Sequence, residues 1–218
     1  DYILKKYNMI NKYPDVIISI PRTVVLTTEV YDEFLEINNL YSIASEDLKD
    51  DDILMRFIYS KLPEKISEQL MEFLESVSKP IAVRSSSLLE DSYYQPFAGI
   101  YSTYMIANND PSINVRLSQL EIAIKSVFAS VFYKDSKSYI HATSHVIDEE
   151  KMAVILQEVV GNYHSEKKYY PTFSGVARSL NFYPIAPEKS EYGIVNVALG
   201  LGKTVVDGGA YLRFCPKY

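Results

Sequence analysis

Ile81-Ala82-Val83-Arg84-Ser85-Ser86-Ser87 is the stretch at which the chain changes character. Three apolar residues and a cation run into a row of hydroxyls, the pattern of a short strand ending in a polar turn. Before it the sequence is written at helical spacing. After it come strand-like runs separated by loops. Segregation of helices ahead of strands predicts an α+β fold rather than an alternating, doubly wound α/β sheet.

Upstream, Ile3, Leu4, Tyr7 and Ile10 predict a helix over residues 2–12. Val16 to Ile20 and Val24 to Leu26 read as extended, with Pro21 between them. Thr28 is placed to cap a helix running to about Asn38. Leu48, Ile53, Leu54 and Phe57 give a helical pattern over residues 46–60, with Asp50, Asp51 and Asp52 read as a solvated turn. Pro63 opens a third helix that carries Ile66, Leu70, Leu74 and Val77 on one face. Downstream, Tyr101 to Ile106 reads as a strand. Asp110-Pro111 then starts a long amphipathic helix over about residues 111–132, and a shorter helix covers 135–142. Met152 to Val159, Gly175 to Leu180 and Gly193 to Ala198 read as strands. The division is helix-rich over 1–80 and strand-rich over 81–218, with no internal repeat and no Gly/Ser linker.

Composition narrows the function classes. Of 218 residues, 47% are hydrophobic and 23% charged, which is ordinary for a globular chain with a sizeable core. A net charge of −6 argues against a nucleic-acid-binding surface, but not against a nucleotide pocket, which needs only a few local cations and amides. No apolar run reaches the roughly 18 residues of a membrane span. A single cysteine, Cys215, excludes an internal disulfide framework and fits a cytoplasmic location.

Several segments could carry chemistry. Arg84 presents a planar fork of donors suited to phosphate or carboxylate oxygens, with Ser85 to Ser87 as neutral donors beside it. On these residues alone, a strand-end salt bridge and a serine-rich turn is the plainer reading. Phe97-Ala98-Gly99-Ile100-Tyr101-Ser102-Thr103 offers a glycine that lets backbone approach a ligand, or simply a turn before a strand. Leu156-Gln157-Glu158-Val159-Val160 offers a polar side chain and backbone groups to an adenine edge, or is a core strand with a polar edge. Gly200-Leu201-Gly202-Lys203-Thr204 lacks the earlier glycine of a phosphate-binding P-loop, since Val197 stands there. His141 and His145 share a helical spacing, but no cysteine or carboxylate accompanies them as a metal set.

The order of these segments resembles one family. Ala82-Val83-Arg84-Ser85-Ser86-Ser87, Glu90-Asp91 and Phe97-Ala98-Gly99 with Thr103 are followed by Gln157 in a strand. Then come Ser174-Gly175-Val176-Ala177 leading to Asn181 and Pro184, and Gly200-Leu201-Gly202 leading to Val205-Val206 and Gly208. This succession, covering nearly the whole chain, is similar to the amino-terminal nucleotide-binding domain of phosphoenolpyruvate synthases and pyruvate phosphate dikinases.

The resemblance implies an ATP-grasp-like domain, incomplete at both ends, as part of a phosphotransferase. Such enzymes pass a phosphoryl group from ATP to a histidine on another domain and thence to pyruvate. It implies that Arg84 contacts ATP phosphates as the catalytic cation, and that Gly99, Ile100, Ser102 and Thr103 belong to a loop closing over them. Gln157, Glu158 and Val160 would line adenine. Mg²⁺ is implied as well, with its ligands expected after Tyr218 and a phosphate-binding lysine expected before Asp1. Lys203 and Arg178 depart from the family pattern, which leaves the acceptor open: glucan or an antibiotic in place of pyruvate. A degenerate scaffold that binds nucleotide without catalysis is the further alternative.

Overall fold

A computed structural model of the chain describes residues 2–87, 90, 101–142, 150–165, 168–202, 205 and 209–218. The chain divides into two units, Asp1–Val159 and Val160–Tyr218.

The first unit is a helical layer on one face of a sheet. It opens with two short helices, α1 (Tyr2–Lys6) and α2 (Met9–Lys12), in place of the single helix the spacing predicts. Asn8 between them adopts φ 50°, the left-handed conformation that asparagine tolerates and that ends a helical run. Strand β1 (Thr23–Leu26) leads to α3 (Thr28–Ile37), a 3₁₀ turn at Tyr41–Ala44, α4 (Asp50–Tyr59) and α5 (Glu64–Ser76). Asp50, Asp51 and Asp52 form the first turn of α4 rather than a free turn. Three carboxylates there complement the positive end of the helix dipole, and Asp50 also accepts a hydrogen bond from the Lys134 amide at 2.9 Å.

Strand β2 (Ile81–Ser87) runs through all three serines, because its antiparallel pairing with β4 (Met152–Glu158) continues to the pair Ser87↔Met152. β3 (Tyr104–Ile106) is followed by α6 (Ile113–Ser130) and α7 (Lys134–Ala142). The long helix starts just after Pro111, where the Asp110 carboxylate accepts the Ser112 amide at 2.8 Å. The sheet order is β1-β4-β2-β3, with every neighbouring pair antiparallel.

One face of this sheet is the floor of the core. Ile81 and Val83 on β2 and Met152, Val154 and Leu156 on β4 are fully enclosed. α6 packs against β2, β3 and β4, and α3 against β4. Between the helices an aromatic set joins the layer: the Tyr31 and Phe128 rings meet edge-on at 5.1 Å, and Phe34 lies 5.5 Å from Phe128 and 5.7 Å from Phe57. The Lys125 ammonium, buried on α6, donates to the carbonyls of Ile58 and Ser60 at 3.2 and 3.0 Å and so closes the C-terminal end of α4.

The second unit is strand and loop. β5 (Asn162–Ser165) and β6 (Lys168–Tyr170) form a hairpin-like pair. β7 (Phe173–Arg178), β8 (Ile194–Leu199) and β9 (Leu212–Phe214) form an antiparallel sheet in the order β7-β8-β9. Gly193 precedes β8 with φ 74°, and a Cβ there would stand 2.6 Å from the Arg178 carbonyl oxygen, so only glycine fits.

No helix among the described residues is long and apolar enough to cross a membrane. The fold is mixed helix and sheet of the α+β kind.

Candidate nucleotide-binding face

Alternation along β2 and β4 divides their side chains between two faces. Ile81, Val83, Met152, Val154 and Leu156 turn to the helices. The register then assigns Arg84, Ser86, Ala153, Ile155 and Gln157 to the opposite face, since Arg84 pairs with Ile155, Ser86 with Ala153 and Ala82 with Gln157. β1 extends that face with Thr23 opposite Gln157 and Val25 opposite Ile155. β3 extends it with Met105 opposite Ala82. Val25 is 50% exposed and Met105 57%, although both lie in a sheet whose other side is solid core. A sheet face of this kind, apolar in part and uncovered by any described helix, is a surface on which a flat ligand can lie.

Two polar groups mark the face. Arg84 is exposed and forms no hydrogen bond or ion pair among the described residues. Gln157 is half-buried, and its amide nitrogen donates to Thr23 Oγ1 at 3.1 Å. Gln157 lies two residues along β4 from the partner of Arg84, a step of about 7 Å on a strand. The face therefore offers a neutral amide at one end and a cation toward the other. Of the three serines, Ser86 alone shares the Arg84 face. Ser85 and Ser87 turn inward, where the Ser85 hydroxyl donates to Glu90 at 2.9 Å and Ser87 Oγ accepts the Glu90 amide at 3.4 Å.

The remaining expected residues fall in several places. Gly99 and Ile100 lie outside the described residues, as does most of the closing loop. Tyr101 is buried, and its hydroxyl donates to the Glu150 carboxylate at 2.9 Å. Burial first, and that neighbouring carboxylate next, push its pKa well above the ordinary tyrosine value. The Ser102 amide reaches Ser130 Oγ at 3.5 Å. Thr103 is exposed and immediately precedes Tyr104, whose strand partner Val83 adjoins Arg84. The Glu158 side chain is engaged by Lys79 at 2.7 Å, and its amide donates to the Arg22 carbonyl at 2.9 Å. Neither group of Glu158 is thus idle in the way a recognition donor would be. Val160, at the start of the second unit, is 63% exposed. His145 lies outside the described residues. Among the described residues no group of three His, Cys, Asp or Glu side chains could hold a metal ion.

Thr23, Val25 and Met105 are parts of this face that the sequence reading did not single out. For Thr23 and Val25 the signal is the β-branched run Thr23-Val24-Val25, whose faces are assigned only once the pairing with β4 is known.

Residues 5–211 match the family model described as the pyruvate phosphate dikinase AMP/ATP-binding domain. The chain belongs to this family. Among curated proteins it is similar to one named "Uncharacterized phosphotransferase YvkC" from Bacillus subtilis (strain 168), with 27% identity over 190 residues. That match takes in 87% of this chain and 20% of the relative, so the chain spans about a fifth of the relative's length.

Proposed function

We propose that this chain is the nucleotide-binding portion of an ATP-dependent phosphotransferase of ATP-grasp type, and that ATP lies on the open face of the β1-β4-β2-β3 sheet. The observation that carries the proposal is Arg84: an exposed guanidinium without a described partner, on the same face as Gln157, in a chain of the AMP/ATP-binding family. Arg84 meets the phosphates, with Ser86 and Thr103 as neutral donors and the loop through Gly99, Ile100 and Ser102 beside them. Val25, Ile155 and Met105 supply apolar contact. The adenine edge takes Gln157. Phosphoryl transfer depends on positioning and on neutralising charge, and a guanidinium fork does both. Mg²⁺, when bound, would offset phosphate charge. The described carboxylates do not form a set for it.

The acceptor we favour is pyruvate, reached through a phosphohistidine on a separate domain, in a cytoplasmic enzyme. The support is the order of motifs shared with phosphoenolpyruvate synthases and pyruvate phosphate dikinases.

The test is a calorimetric titration of Mg-ATP into the complete gene product and its Arg84→Ala variant, with and without pyruvate. Removing one partner of a desolvated charge pair costs roughly 2–5 kcal/mol, so Arg84→Ala is expected to weaken ATP binding at least tenfold, the equivalent of about 1.4 kcal/mol. Formation of AMP and phosphoenolpyruvate only when pyruvate is present is the expected turnover. Equal affinity in the variant refutes the role of Arg84. Binding without pyruvate-dependent turnover refutes the acceptor.

A further inference from the structure

Thr23 opens β1 directly after Pro21 and Arg22. The Arg22 guanidinium donates to the Ser76 carbonyl at the end of α5 at 2.7 Å, and the Arg22 carbonyl accepts the Glu158 amide at 2.9 Å. The start of β1 is thus tied to a helix and to β4. Because Arg22 and Glu158 share a ladder hydrogen bond, the next pair, Thr23↔Gln157, is of the alternate kind, in which backbone groups point apart and side chains stand closest.

A threonine hydroxyl has one proton to give. Thr23 gives it to the Pro21 carbonyl at 3.0 Å. Toward Gln157, Thr23 Oγ1 can then only accept, and Gln157 Nε2 donates to it at 3.1 Å. The two ends of a glutamine amide are told apart by their partners. Here a relay from the Gln157 N–H through the Thr23 hydroxyl to the Pro21 carbonyl settles which end is which. A reversed amide would set two acceptors against each other or take the Thr23 proton from Pro21. Gln157 Oε1 is therefore the end left over, and it meets no donor among the described residues. It lies on the open face of the sheet, with Ile155 two residues before it on β4.

On the placement of ATP proposed above, we infer that Thr23 is a specificity-determining positioning residue: by holding the Gln157 nitrogen it presents Gln157 Oε1 as an acceptor, and so selects a purine with a 6-amino group over one with a 6-oxo group. Adenine carries a donor at that position and accepts no proton there. Guanine and hypoxanthine carry an acceptor instead, which would face Oε1 oxygen to oxygen. Thr23 touches neither base nor phosphate; it acts through the amide. A site built to hydrogen-bond one group discriminates strongly against an analogue that cannot answer it.

The experiment titrates Mg-ATP and Mg-ITP separately by calorimetry into the complete gene product and its T23V, T23S, Gln157→Met and Arg84→Ala variants. ITP replaces the 6-amino group by 6-oxo. The unaltered protein is expected to bind ATP about tenfold or more tightly than ITP. T23V keeps the shape of the side chain and suits a strand, but it frees the amide to turn, so the ratio is expected to narrow to about threefold or less. T23S keeps the hydroxyl and is expected to keep the preference. Gln157→Met is expected to narrow the ratio as T23V does, and the double variant no further, since both act through one amide. Arg84→Ala is expected to weaken both nucleotides and leave their ratio in place. A ratio near one in the unaltered protein, a ratio unchanged in T23V, or one lost equally in T23S overturns the role of Thr23, while ATP binding that still depends on Arg84 keeps the nucleotide face. If neither nucleotide saturates the unaltered protein, the nucleotide face falls and the role of Thr23 with it.

Discussion

Arg84 and Tyr101 are polar side chains on the two sides of the same sheet, and they make opposite predictions. Arg84 stands on the open face, and its removal takes away no side-chain hydrogen bond or ion pair among the described residues. Tyr101 is buried, and its hydroxyl joins the approach to β3 to Glu150, just ahead of β4. Hydrogen bonds to charged groups contribute about 1.5–3 kcal/mol. Tyr101→Phe is therefore expected to lower unfolding stability by about that amount in urea, while Arg84→Ala leaves the urea midpoint within experimental scatter. A large loss for Arg84→Ala would return that residue to a structural role, and a neutral Tyr101→Phe would show that the Glu150 contact contributes nothing net. The sequence carried the identity of Arg84 and Gln157 but not their company. That both face away from the helices, while Ser85 and Ser87 turn inward to Glu90, follows from the β2–β4 register, which no local pattern specifies.

Helices were legible wherever one face is buried and the other wet. α5 buries Ile66, Leu70, Phe73 and Leu74, and that spacing is plain in the sequence. β5 and β9 escape the sequence for the converse reason: β5 shows no apolar alternation, and β9, Leu212-Arg213-Phe214, alternates over only three residues, too short a run to be recognised as a strand. The acidic run at Asp50 to Asp52 misled in another way, since carboxylates suit a solvated turn and a helix N-terminus equally, and the helical layer decides between them. That layer is held where α3, α4 and α6 meet. Phe128 is fully enclosed there, in ring contact with Tyr31 and Phe34. Phe128→Ala is expected to cost about 3–5 kcal/mol, the range for deleting a core aromatic ring, read as a lowered urea midpoint. A loss below about 1 kcal/mol would mean that the three helices close over the gap.

At the scale of the whole chain, 19 tyrosines stand without a tryptophan, and the net charge is already −6. Four tyrosines of the first unit are shifted upward; Tyr41 is exposed, and the other three are buried or half-buried. Tyr31 is shifted upward by burial and, secondarily, by Tyr101 and the carboxylates of Glu150 and Asp32. Tyr101 is shifted the same way. Tyr133 is pushed up to about 12, by burial first and then by Tyr104 and the carboxylates of Asp50 and Asp51. In the unfolded chain each of these phenols ionises near the ordinary value of 10.0. The folded state therefore holds protons that the unfolded state gives up. The stability tied to them is complete below about pH 10 and falls as pH rises from there toward the folded-state values. The urea midpoint of the helical circular dichroism signal, which comes from the first unit, is expected to hold level to about pH 9.5 and then to drop steeply by about pH 12. Tyr101→Phe should start from a lower midpoint and lose less of it over the same range, because one of the three phenols is gone. A midpoint that stays flat through this window, with tyrosinate absorbance rising equally in folded and unfolded protein, would mean that these hydroxyls meet water in the folded chain and that the core beneath the open sheet face is looser than its packing implies.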